Sequence, residues 1–203
     1  MCILLASGII FSCNTADDKT TGSGSSDSIT KLIDTAMHDN NMMHDTMSTP
    51  IVTAAVATIT STYADTVVNG TATFETTADD KVKMTLVITV PEKANKSVAV
   101  HLHEHGDCGD NGKASHGHWN PTNAQHGKWG TASFHTGDIG NVKLDAKGKG
   151  TFTITTDLWT LGGSFNKNIV GKAIIVHSGV DDFTTQPTGN AGNRIGCGLI
   201  VAK

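Results

Sequence analysis

The sequence predicts an all-β fold, either a sandwich or a barrel, on three observations. β-Branched runs with period-2 alternation recur from Ile51 onward, turn signals separate them, and no stretch makes a convincing long helix. Composition agrees, with 5% aromatic residues and 22 glycines among 203 residues, as expected for short strands and many turns. That length suffices for one domain with a good core plus a tail. The formal net charge is −4, and the 15 cationic side chains are fourteen lysines and the single arginine Arg194. No clustered Lys/Arg footprint for nucleic acid is present.

Taken in order, residues 1–13, MCILLASGIIFSC, form an apolar run too short to span a bilayer. The run resembles the hydrophobic region of a bacterial lipoprotein signal, with Ile10, Phe11 and Ser12 ahead of Cys13 as the lipidation candidate. Plain signal-peptide cleavage is the alternative. Either way the protein is expected to be exported, to the periplasm or as an envelope lipoprotein anchored in a membrane. Loss of Cys2 with the signal, and of Cys13 as a free thiol by lipidation or cleavage, leaves Cys108 and Cys197 as one pair in an oxidising compartment. Residues 14–49 read as a flexible tether, polar and rich in Ser, Thr, Gly and Asp at first. They then carry MHDNNMMHDTM, in which Met37, His38, Met42, Met43, His44 and Met47 offer thioether and imidazole donors suited to copper. A methionine-rich linker without metal is the plainer reading.

The domain proper is expected over residues 50–203. Its predicted strands are IVTAAVATIT, GTATFETTA, KVKMTLVITV, SVAVHLHEH, GNVKLDA, GTFTITTD, AIIVHS and CGLIVA. Asn69-Gly70, Ala78-Asp79-Asp80 and Lys147-Gly148-Lys149-Gly150 are the turn candidates. Residues 105–139 and 178–195 break the rhythm as long Gly/Asn/His-rich loops, which in a compact domain are usually functional.

Ten histidines carry the chemistry. A strand points i and i+2 to one face, so His101 and His103 stand side by side as a pair of metal donors. His105 would continue that face, but a glycine follows and the strand is expected to end. In the next loop His118, His126 and His135 are spaced by eight and nine residues, and Asp138 follows by three. Three imidazoles and one carboxylate make a closed tetrahedral set of the kind a structural zinc takes. A long loop without its own core gains from such a clip. His177 ends a strand that could run beside the His101/His103 strand.

The segments HLHEHGDC, GHWNP, HGKWGTASFHTGDIGN, VHSGVDD and TGNAGNRIGCG closely resemble the motifs of copper–zinc superoxide dismutase, in order and over residues 51–203. The resemblance implies an eight-stranded antiparallel Greek-key barrel, an immunoglobulin-like sandwich, with two long functional loops. It implies copper ligands at His101, His103, His118 and His177, and zinc ligands at His118, His126, His135 and Asp138, so that His118 bridges the metals. Asp181 matches the carboxylate that orients His101 and His126. Cys108 and Cys197 match a disulfide, Arg194 the residue that guides the substrate, and Thr188 the residue that narrows the channel with it. His105 falls where the family usually has an apolar side chain and is read, like His116, as a surface or packing residue. Ala99 replaces a usual glycine and Gly117 precedes the bridge, without touching a ligand.

The implied cofactors are one copper and one zinc per subunit, and the implied partner is the superoxide anion, dismutated to dioxygen and hydrogen peroxide as antioxidant defence in the envelope. Arg194 and His118 are the implied catalytic residues. A homodimer is an assembly the resemblance allows, through surfaces that differ between subgroups. The competing reading is a non-catalytic copper/zinc-buffering envelope lipoprotein, favoured only by the Met/His tail.

Overall fold

The computed structural model describes residues 52–203. The apolar segment 1–13 with Cys13 and the tether 14–49 with its Met/His stretch lie outside the described residues. The strands, in chain order, are β1 (Ala54–Ser61), β2 (Asn69–Thr76), β3 (Val82–Thr89), β4 (Ser97–His103), β5 (Gly140–Lys143), β6 (Lys149–Thr156), β7 (Ala173–His177), β8 (Arg194–Leu199) and the short β9 (Val201–Ala202). Alternation becomes burial in β3, where Val82, Met84, Leu86 and Ile88 point into the core and the residues between them stay more accessible.

Eight antiparallel strands pair in the order β5-β4-β7-β8-β1-β2-β3-β6, and β9 extends the last strand beside β1. β3 leads to β4, and β6 to β7, without pairing with them, which is the Greek-key crossing the resemblance implied. β5 and β6 are joined by a turn in which Gly148 N donates to Asp145 O at 3.0 Å. Among the described residues no helix is long and apolar enough to cross a membrane.

β4 and β7 are buried on both faces, so their sequences read as continuous runs. Val98, Val100, Leu102, Ile174 and Val176 enter the barrel core, while Ala173, Ile175 and Cys197 form a separate apolar cluster. His101 and His103 lie in register with Ile175 and Ala173 of that second cluster, on the outer face of the barrel. The loops over residues 104–139 and 178–193 cover this face.

Two local expectations are revised. Asn69 and Gly70 open β2 instead of forming the turn, which falls at residues 62–68. Gly70 faces Ile88, whose Cγ2 would lie 2.7 Å from any added Cβ, so this glycine marks a close strand approach. Arg194 begins β8 rather than lying in the loop, because its backbone pairs with His177. Between β6 and β7, the irregular segment 157–172 buries Trp159 completely. Trp159 Nε1 donates to Thr136 O at 2.9 Å, and its ring meets Phe74 and Trp129 edge-on at 6.4 and 5.4 Å, tying the first long loop to the barrel.

Candidate metal centre

β4 supplies His101 and His103, β7 ends in His177, and an isolated bridge between His103 and His118 brings the loop histidine to the same place. One donor atom from each of His101, His103, His118 and His177 lies within 4.8 Å of the others, all on buried residues. A second set of the same compactness joins His118, His126, His135 and Asp138. His118 belongs to both.

The donor atoms test whether metals fit. His101 Nδ1, His103 Nε2, His118 Nε2 and His177 Nε2 are buried without any hydrogen-bond partner. Four such orphans would be costly in a protein interior, and a cation with four nitrogen ligands satisfies them at once. The opposite nitrogen of each ring is held. His101 Nε2 donates to Asp181 Oδ2 at 2.9 Å, His103 Nδ1 to His116 O at 2.8 Å, and His177 Nδ1 to Gly192 O at 3.3 Å. These bonds set each tautomer so that a lone pair faces the shared point.

In the second set the nitrogens converge on Asp138. His118 Nδ1 lies 2.8 Å and His135 Nδ1 3.2 Å from its Oδ1. His126 Nδ1 is 2.9 Å from Oδ2, yet its geometry makes no hydrogen bond, and it counts as an orphan. Two donors that close without bonding are aimed at a common ion between them. Asp138 Oδ2 also accepts from His135 N and Gly127 N at 2.8 and 3.1 Å.

Burial sets the charge states. It pushes His118 down from 6.5 to about 4, against the pull of Asp138, and drives His103 and His177 well below their ordinary value. His101 is lowered for the same reason despite Asp181. Neutral imidazole is the ligating form. Burial alone would raise Asp138 and Asp181, but hydrogen bonds from His118 and His135 in one case, and from His101 and His126 in the other, outweigh it and keep both ionised.

Residues 68–200 match the family model described as copper/zinc superoxide dismutase. The chain belongs to that family. The superoxide dismutase [Cu-Zn] of Botryotinia fuckeliana is 35% identical over 153 residues, covering 72% of this chain and 96% of that protein. The superoxide dismutase [Cu-Zn] 2 of Aquifex aeolicus is 36% identical over 110 residues, which is 52% of this chain and 64% of the relative, so the match spans less than two thirds of that protein. A solved structure described as the clock protein EA4 superposes with a TM-score of 0.65 at 30% identity, covering 76% of this chain and 97% of that one.

In this superoxide dismutase domain the remaining expected residues fall around the two sets. Cys108 and Cys197 are bonded, with Cα atoms 5.7 Å apart across a separation of 89 residues. Arg194 Nη1 donates to Gly112 O at 2.9 Å and to Ser115 Oγ at 3.1 Å, so the guanidinium is braced by the loop that the disulfide holds. Its charge is close enough to disfavour protonation of His103 and His177. Thr188 is half-buried in the second loop. Asp181 joins the sets, bonding His101 and, at 2.9 Å, His126 Nε2.

Several supports were not foreseen. Asn141 of β5 clamps the backbone of Asp181, its Oδ1 accepting from Asp181 N at 2.8 Å and its Nδ2 donating to Asp181 O at 2.9 Å. Gln186 does the same for the backbone of His126 at 2.9 and 2.8 Å. Gly189, at φ 65°, leaves room for the Asp181–His126 bond, since a Cβ there would lie 1.9 Å from Asp181 Oδ1. The only sequence signal for Asn141 was a polar residue in a strand. The carbonyls of His116 and Gly192 carried no side-chain signal at all. Ala99 is fully buried and its N–H donates to Gly179 O at 2.8 Å, so the departure from glycine is accommodated.

Proposed function

We propose that this domain dismutates superoxide, holding copper in the set His101, His103, His118 and His177 and zinc in the set His118, His126, His135 and Asp138. The observation that carries this is the convergence of four orphaned imidazole nitrogens on one buried point, with His118 offering its other nitrogen to a second set. One superoxide gives up an electron and leaves as dioxygen, and a second takes that electron with two protons and leaves as hydrogen peroxide. Bound copper supplies the one-electron couple, and bound zinc, which has none, supplies a fixed positive charge. His118 Nε2 is the atom at which the chain holds a proton between the two half-reactions, while Nδ1, directed at the Asp138 position, keeps the ring from turning. Asp181 orients His101 and His126 together, which keeps the two sets in mutual register. Arg194 and Thr188 border the approach, and the guanidinium gives an anion a local attraction that a chain of net charge −4 does not provide as a whole.

Export belongs to the same proposal. It is supported by the apolar segment 1–13 and by a disulfide suited to an oxidising compartment, with lipid attachment at Cys13 and a periplasmic or envelope location. Residues 14–49 then serve as the tether of domain 50–203, and sedimentation analysis reads whether that domain forms a homodimer. The activity is tested by assaying the copper- and zinc-loaded full chain for superoxide consumption. Turnover abolished by His118→Ala supports the reading, and a loaded wild-type chain that only binds metal supports the buffering alternative.

A further inference from the structure

Away from the two buried sets, Glu104, His105 and His116 meet at the surface, each offering a donor atom within 4.8 Å of the other two. The sequence reads His105 and His116 each as a surface or packing residue. In the fold their rings stand edge to face with centroids 4.3 Å apart. Backbone pairing enforces this: Glu104 N donates to Gly117 O, and His105 N to Ser115 O, both at 3.1 Å. His116 lies between those two acceptors at φ 61°, ψ −146°, a conformation that glycine takes far more readily than histidine. Lys172 Nζ bonds the backbone oxygen of Glu104 at 3.3 Å, and among the described residues no cation within 4.0 Å pairs with its carboxylate.

We infer that Glu104, His105 and His116 form a third, exposed metal site that takes a borderline divalent cation, Zn(II) or Cu(II). Two imidazoles and a carboxylate are a donor set that both ions accept, with open positions left for water. Ligand bonds of about 2.0–2.2 Å require the three donors to draw slightly closer, which exposed side chains achieve by small rotamer changes. The site is distinct from the buried sets yet adjoins them, because His116 O accepts from Nδ1 of His103 at 2.8 Å. Its exposure makes it an exchangeable site, where the buried sets are enclosed.

The test uses the full chain loaded with copper and zinc, whose metal content is measured first so that failure of the buried centre is seen separately. Titration with Zn(II) by calorimetry should reveal a further saturable equivalent. His105→Gln and His116→Gly should each weaken it at least about tenfold, since loss of even a ligand's hydrogen-bond partner costs that much. The glycine variant relieves the left-handed backbone position, so misfolding does not explain its effect. Repeating the titration with Cu(II) ranks the two ions. No further equivalent in the wild type, or one of unchanged affinity in both variants, as the Met/His stretch would produce, overturns the inference.

Discussion

His101, His103 and His177 stand on β4 and β7, whereas every donor of the second set lies in the single loop over residues 104–139. The strand-borne nitrogens are left without partners, while two of the three loop-borne imidazoles find hydrogen bonds with Asp138. A paired strand cannot shift to satisfy an orphan, so the sheet stores the geometry of the first set and its electrostatic cost. The loop can shift, and its arrangement depends on ties from outside: the disulfide at Cys108, Asp181 on His126, Gln186 on the His126 backbone and Trp159 on Thr136. The first set is preorganised by folding, and the second is maintained by cross-links.

The largest expected effect breaks the strand-built set itself. His103→Ala should reduce dismutation to the uncatalysed background, because it deletes a donor that no neighbour can replace, while zinc content measured by mass spectrometry falls little. Next, removing the cross-link should fall on the loop. Cys108→Ser with Cys197→Ser should lower unfolding stability by roughly 4–5 kcal/mol on the chain-entropy view, read by denaturant titration of the metal-free protein. Loss of zinc affinity before copper affinity would sharpen the contrast, and equal loss from both would blunt it.

Asp181→Ala should act on both sets, since one carboxylate orients His101 and His126. Chelator competition should show affinity for each metal reduced by about 10–100-fold, and an effect on one metal alone would deny the coupling. The smallest effect belongs to Arg194, which no metal needs. Arg194→Glu should cut kcat/KM about tenfold or more with unchanged metal content, and the normal fall of rate with ionic strength should flatten or reverse. An unchanged rate at low salt would remove the guidance role.

The same division governed what the sequence made legible. β2 and β3 are solvated on one face, so alternation marked them, and His101 and His103 could be placed on one face from spacing alone. The order in which strands pair, the burial of Trp159 in an irregular segment and the start of β8 at Arg194 all depend on distant partners and left no local pattern. Among site residues, those that act through a distinctive side chain matched the family motifs. Asn141 and Gln186 act by amide pairs common anywhere on a surface, and His116 and Gly192 act through carbonyls every residue has. The meeting of His105 with His116 likewise follows from the pairing of residues 104–105 with 115–117, which no spacing rule signals.

In the proposed function His118 is shared between the strand-built set, which would hold copper, and the loop-built set, which would hold zinc. A crystal structure of the loaded protein with anomalous data at the copper and zinc edges tests it most directly. Copper is expected against His101 Nδ1, His103 Nε2, His118 Nε2 and His177 Nε2, and zinc against the nitrogens of His118, His126 and His135 with Asp138. Zinc in the strand-built set with copper in the loop, or a His118 that contacts only one ion in both oxidation states of copper, would contradict it.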